Sequence, residues 1–146
     1  MCGRIDQGRT SWELFPHGSD VGVRGVGSTR EEAFEQVAVA LTGVVTDPRK
    51  VAASRPISIA CEASDDELLL YEWLNALVAR MAVDGVLFSR YEVHLEDGRL
   101  DARAFGEPVD VARHRPAVEV KGATFTELAV RRREDGTWVA QSVVDV

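Results

Sequence analysis

SDDELLLYEWLNALVARMAVDGVLFSRYEVHLEDGRLDARAF, residues 64–105, sets the fold class, because it joins a helix signal to a hairpin signal in one run. Ser64 with Glu67 has capping-box spacing, hydroxyl and carboxylate each able to satisfy a free backbone N–H. Asp65 and Asp66 stand in the first turn, where the helix dipole favours negative charge. Leu70, Trp73, Leu74, Leu77, Val78 and Met81 then recur on one helical face and predict a buried stripe. Asp84-Gly85 closes the helix. From there the pattern becomes that of strands: residues 87–95, an Asp97-Gly98 turn and residues 100–105 predict a β-hairpin.

Working outward, Thr29 with Glu32 repeats the capping-box spacing, and Phe34, Val37, Ala38, Leu41 and Val45 share a helical face. Thr46-Asp47-Pro48 ends that helix, since a residue before proline avoids the helical region. Residues 12–15 and 20–26 read as short strands around Pro16-His17-Gly18, and residues 55–63 as another strand with Ile57 and Ile59 on one face. On the C-terminal side, residues 117–133, an Asp135-Gly136 turn and residues 138–146 predict a longer hairpin. Helices among hairpins, with no dividing linker, mean an α+β fold: a single domain of two main helices packed on hairpin-rich β-sheets. Its boundaries are 12–146, with residues 1–11 as an N-terminal extension.

The 146 residues, 45% of them apolar, suffice for one core without disulfide or metal. Acidic residues outnumber basic ones, 24 against 17, and the net charge of −7 disfavours binding nucleic acid or an anionic membrane by bulk charge. Apolar runs such as 68–71 are far shorter than a membrane span, and residues 1–10 lack the apolar core of a signal peptide. Cys2 and Cys61 form neither a C-x-x-C pair nor a disulfide framework. These features predict a soluble, cytoplasmic protein.

The common catalytic signatures are missing: no P-loop, G-x-S-x-G elbow or H-E-x-x-H is present. Gly25-Val26-Gly27 lacks the third glycine of a dinucleotide fingerprint. Among the histidines, His94 reads as structural or exposed, and His114, between Arg113 and Arg115, as part of a solvated loop. His17, three residues before Asp20, reads first as a turn residue bonding backbone groups. Glu31, Glu32, Asp65, Asp66 and Glu67 are explained as first-turn charges, and Asp97 and Asp135 as turn residues before glycine.

Asp20 and Asp145 have no such explanation. Asp20 opens an apolar strand, and Asp145 ends the run Val143-Val144-Asp145-Val146 beside the terminal carboxylate of Val146. If the two strand ends meet, three carboxylates come together and must hold protons or bind a cation. An all-oxygen donor set selects hard ions, calcium or magnesium, over zinc. Lysine usage adds one mark: against fifteen arginines there are two lysines, Lys50 and Lys121. Lys121 reads either as a compact ammonium required at a contact site or as an exposed strand lysine facing Glu119. Arg131-Arg132-Arg133 reads as a solubilising run or as phosphate contacts.

In order and with compatible spacing, His17-Gly18-Ser19-Asp20-Val21-Gly22, Leu69-Leu70-Tyr71-Glu72-Trp73-Leu74-Asn75, Gly85-Val86-Leu87-Phe88-Ser89, Gly106-Glu107 with Asp110 and His114, Glu119-Val120-Lys121-Gly122-Ala123-Thr124 and Val144-Asp145-Val146 resemble the archease family from residue 12 to residue 146. The resemblance implies a small α+β protein that is not itself an enzyme. Its implied role is to assist an RtcB-type RNA-splicing ligase, promoting guanylylation and turnover in tRNA splicing or RNA repair. It implies divalent-metal binding, calcium first and magnesium or manganese next, at Asp20, Asp145 and Val146. It also implies a part in ligase activation for Lys121, and neither sequence-specific nucleic-acid binding nor a membrane partner. The sequence departs from the family pattern at Gly18-Ser19, where threonine-alanine is usual, at Gly122, where alanine is common, and at Thr126, where histidine is often seen. The alternative from another class is a folding helper or protein-binding module unrelated to RNA ligation.

Overall fold

The computed structural model describes residues 10–146; residues 1–9, most of the expected extension and Cys2 with them, lie outside the described residues. An N-terminal hairpin, the C-terminal strand and two short strands beside it build the first sheet. Strands β1 (Ser11–His17) and β2 (Asp20–Gly27) turn at Gly18-Ser19, so Pro16 and His17 belong to the strand and not to the turn. The chain then forms helix α1 (Arg30–Val45), a 3-10 turn (Pro48–Lys50), strand β3 (Arg55–Glu62) and helix α2 (Asp66–Asp84). Strands β4 (Val86–Glu96) and β5 (Arg99–Pro108) follow, then the one-turn helix α3 (Val111–His114). Strands β6 (Gly122–Ala123), β7 (Ala129–Arg132) and β8 (Trp138–Asp145) complete the chain.

The caps explain where the helices start. Thr29 Oγ1 accepts from the Glu32 N–H at 3.1 Å, as its spacing predicts, but the Glu32 carboxylate reaches one residue further back and accepts from the Ser28 N–H at 2.8 Å. In α2 the cap is Asp65, whose Oδ1 accepts from the Leu68 N–H at 2.8 Å, and not Ser64. A carboxylate caps as well as a hydroxyl and interacts more strongly with the dipole. Glu67 is thereby freed to accept from Val130 of β7 at 3.3 Å. Gly85, at φ 62°, ends α2 in the left-handed conformation.

Strand order in the first sheet is β1-β2-β8, and the far edge of β8 is shared by β6 and β7. The expected continuous arm over residues 117–133 is therefore broken. Thr124 and Thr126 bond back to Val143, and Glu127 takes a positive φ of 55°, which lifts the chain off the ladder between β6 and β7. The second sheet has the order β3-β5-β4, with positive φ at both Asp97 and Gly98, as a tight right-twisting hairpin turn requires. Its β4 edge is covered by α1, where half-buried Glu35 accepts the Val93 N–H at 2.9 Å. Burial first, and neighbouring Glu32, Glu31 and Glu92, push the Glu35 carboxyl above its usual range.

Helices α1 and α2 each touch strands of both sheets and so form a layer that joins them. Phe34, Leu41, Leu70, Trp73, Leu74 and Leu77 are fully buried there, and the Trp73 indole donates to the Phe34 carbonyl at 3.0 Å. Met81, expected in the stripe, is only partly buried. No helix among the described residues is long and apolar enough to cross a membrane.

Gly25-Val26-Gly27 has a structural use. A Cβ on Gly25 would stand 2.2 Å from the Val37 nitrogen and 2.4 Å from the Ala33 carbonyl oxygen, so only glycine lets α1 lie this close to β2. Neither backbone atom has the freedom of a side-chain end to move away. Gly25→Ala is expected to cost about 3 kcal/mol, near the upper end for overpacking. Gly18→Ala, strained only by its φ of 61° with open space around it, should cost about 1 kcal/mol. Urea unfolding of the two variants checks the difference.

Candidate functional site

β8 brings the two unexplained aspartates together. Val21 pairs with Val144 across β2 and β8, and Gly122 pairs with Asp145 across β6 and β8. Asp20 thus comes level with Asp145 at one end of the sheet, and the Val146 N–H points to Asp20 Oδ1 at 3.4 Å. On the other side of β8, the Lys121 N–H donates to the Asp145 carbonyl at 2.7 Å. His17, exposed, faces Asp20 across the β1–β2 ladder. The expected site residues Asp20, Asp145, Val146 and Lys121 therefore share one rim, with Asp145 and Lys121 exposed and Asp20 and Val146 half-buried. Beneath this rim Val143 and Val144 are buried, and Val146 packs against the core.

The donors on this rim are carboxylate oxygens, which suit a hard cation. Among the described residues no three His, Cys, Asp or Glu side chains are grouped to hold a metal ion. Asp20 and Asp145 would need the Val146 carboxylate, and oxygens from water or a partner, to fill the 6–8 places of a calcium shell. An ion held here would keep an open side.

α2 supports the rim from below. Asn75 Oδ1 accepts from the Ala123 N–H at 2.9 Å and ties the two-residue strand β6 to the helix. Motif reading assigned Asn75 no role; the available signal was a polar residue set among the buried Trp73, Leu74, Leu77 and Val78. Tyr71, one turn earlier, stacks on exposed Phe125 with ring centroids 4.6 Å apart.

The sequence model of the Archease protein family matches residues 12–146. The chain belongs to the archease family. It is 40% identical over 139 residues to protein archease of Pyrococcus furiosus, covering 92% of this chain and 98% of that one. With protein archease of Sulfolobus acidocaldarius it shares 33% identity over 139 residues, covering 94% and 99%. Its structure resembles the solution structure of Methanobacterium thermoautotrophicum protein 1598, with a TM-score of 0.80 and 30% identity over 93% of this chain and 99% of the other. The crystal structure of a Thermotoga maritima protein, described as an archease and possible chaperone, shares the fold: TM-score 0.56, 14% identity, 92% and 96% covered.

Other candidate residues of this archease fall elsewhere. His94 is exposed and sits 3.3 Å from Glu96. Burial first, and then nearby Glu72, push the Cys61 thiol up to about 11, which keeps it protonated and a poor nucleophile. Arg131, Arg132 and Arg133 are exposed beside the start of β8, about 20 Å or more from the rim at ~3.4 Å per strand residue. Thr126 lies in the turn after β6, its N–H donating to Thr124 Oγ1 at 3.1 Å.

The expectation of a solvated His114 is overturned: its ring is buried, only 1% exposed. The Asp110 N–H donates to Nδ1 at 2.9 Å, so the ring proton sits on Nε2 and is directed to Glu107 Oε2, also at 2.9 Å. The same Glu107 oxygen accepts the Ala52 N–H at 2.8 Å, and Arg113 pairs with the other oxygen at 2.8 Å. Charged neighbours in sequence concealed this, because Arg113 and Arg115 flank a ring that one helical turn directs inward. The Ala52 N–H first, and then the His114 ring, hold the Glu107 carboxyl below the usual carboxylate range. A carboxylate lowered in the folded state contributes stability above that range and loses it as pH falls through and below it. The stability gap between the native protein and Glu107→Gln should therefore be full at neutral pH and shrink by about pH 3, as urea titrations at several pH values would show.

Proposed function

We propose that this archease acts in the cytoplasm as an accessory activator of an RtcB-type RNA ligase, promoting its guanylylation and turnover in tRNA splicing or RNA repair. The observation that supports this reading is the meeting of Asp20, Asp145 and Val146 beside Lys121 on an exposed rim. In this reading the archease is a helper of the ligase and not itself the catalyst.

Asp20, Asp145 and the Val146 carboxylate present the ligase's nucleotide cleft with a compact acidic tip. They would hold a divalent cation, calcium first and magnesium or manganese next, on its open side. When held, such an ion supplies positive charge that neutralises charge developing on a phosphoryl group. Lys121 contributes a compact ammonium that meets the nucleotide or the ligase. A net charge of −7 steers the archease towards the basic cleft of an RNA-binding enzyme.

A second reading, a folding helper or protein-binding module, is favoured by the exposed apolar side chains Val83, Val111 and Phe125. It predicts suppression of aggregation that Asp20→Ala leaves unchanged.

The deciding measurement is guanylylation of the cognate ligase with the native protein, with Asp145→Ala and with a copy extended by a few residues beyond Val146. Asp145→Ala, folded, should lose ~10- to 100-fold of the stimulation, the range for impairing a metal site. Full stimulation by that variant would sink the tip mechanism. Stimulation by the extended copy would remove the Val146 carboxylate from it. No stimulation by any of the three, with a competent ligase, would favour the second reading.

A further inference from the structure

We propose that Asn75 is a positioning residue for Lys121, holding the segment that carries it against the end of β8; the inference rests on the activating role given to Lys121 above. β6 has two residues, far fewer than a strand needs to hold its place by ladder bonds alone. Further anchors hold the segment, Ser142 Oγ donating to the Thr124 carbonyl at 2.8 Å among them. The Lys121 N–H donates to the Asp145 carbonyl at 2.7 Å, and both the N–H and the Oγ1 of Thr124 donate to the Val143 carbonyl, at 3.0 and 2.7 Å. Between them, the N–H of Ala123 turns away from β8 and is taken by Asn75 Oδ1 at 2.9 Å.

Asn75 is the anchor with the firmest base. It projects from a helix whose neighbouring Leu74 and Leu77 are fully buried. It also sets a distance, since a Cβ on Gly122 would lie only 3.1 Å from the same Oδ1. Among the described residues no carboxylate forms an ion pair with exposed Lys121, so the place of its ammonium follows from the backbone and not from a salt bridge. Deleting the Asn75 amide leaves the buried Ala123 N–H without its acceptor and frees the segment to shift relative to Asp145.

The test is ligase guanylylation stimulated by Asn75→Ala and Asn75→Asp, with Asn75→Ala repeated in a Lys121→Ala background and amide hydrogen exchange followed at Ala123. Asn75→Ala should fold, exchange the Ala123 amide faster and stimulate about tenfold less, as misplacing a contact group by a fraction of an ångström does. Asn75→Asp, which keeps an oxygen acceptor, should restore both. In the Lys121→Ala background, Asn75→Ala should cause no further loss, an outcome that mere destabilisation would not give. Should Asn75→Ala not fold, Asn75→Ser, which keeps a polar group but falls short of Ala123, carries the same measurements. Stimulation by folded Asn75→Ala equal to that of the native protein overturns the positioning role alone, and so does a loss that multiplies on top of Lys121→Ala. Absence of stimulation by the native protein, or full stimulation by Lys121→Ala, overturns the role of Lys121 and this inference with it.

Discussion

The placement of the last strand at the centre of its sheet constrains everything else in this molecule. β8 is bonded along β2 on one side and along β7 and then β6 on the other, so both of its edges are spent. Of its eight residues, six from Val139 to Val144 are buried. The sheet itself fastens the strand. An exposed Asp145 on such a strand is held within the play of a packed core, which a terminal tail could not provide.

From that strand the rest of the site follows by pairing. Antiparallel pairing of Val21 with Val144 carries Asp20 to the same rim, although 125 positions separate it from Asp145. Pairing of Gly122 with Asp145 brings Lys121 in from the other side. The helices then fix the sheet. α1 rests on β2 where Gly25 leaves room for its backbone, and α2 takes β6 through Asn75 and β7 through Glu67. A rigid scaffold is a sound base for holding exposed polar groups in fixed places on its edge.

A second cluster of contacts shows the same economy in polar form. His114, Glu107, Arg113 and the Ala52 N–H form one network that joins the end of β5, the segment before β3 and α3. Thr46 adds a bond to the His114 carbonyl, which ties the end of α1 to the same point. Among the described residues no buried side-chain nitrogen or oxygen is left without a partner. Buried polar networks that are fully satisfied specify one arrangement of the segments they join. This one holds the loop that leads through buried Val120 to Lys121.

Local signals were legible wherever the physics is local. Helix caps, the stripes from Phe34 to Val45 and from Leu70 to Val78, and the Asp97-Gly98 turn all follow from spacing within a few residues, and the family motifs added the archease fold. Where two local solutions were nearly equal, as for Ser64 and Asp65 at the α2 cap, sequence picked the neighbour of the residue used. Register and burial between distant segments were beyond its reach: the break between β6 and β7, the seating of His114 and the anchoring of Ala123 depend on Val143 for Thr124, Thr46 for His114 and Asn75 for Ala123, partners 19, 68 and 48 residues away. The sequence by itself determined the α+β class, the two helices and the candidate carboxylates, because periodicity, capping and composition act through near neighbours. Only the tertiary structure decided that Asp20, Asp145, Val146 and Lys121 share a rim, because strand pairing and core packing, which act across the whole chain, set which ends meet.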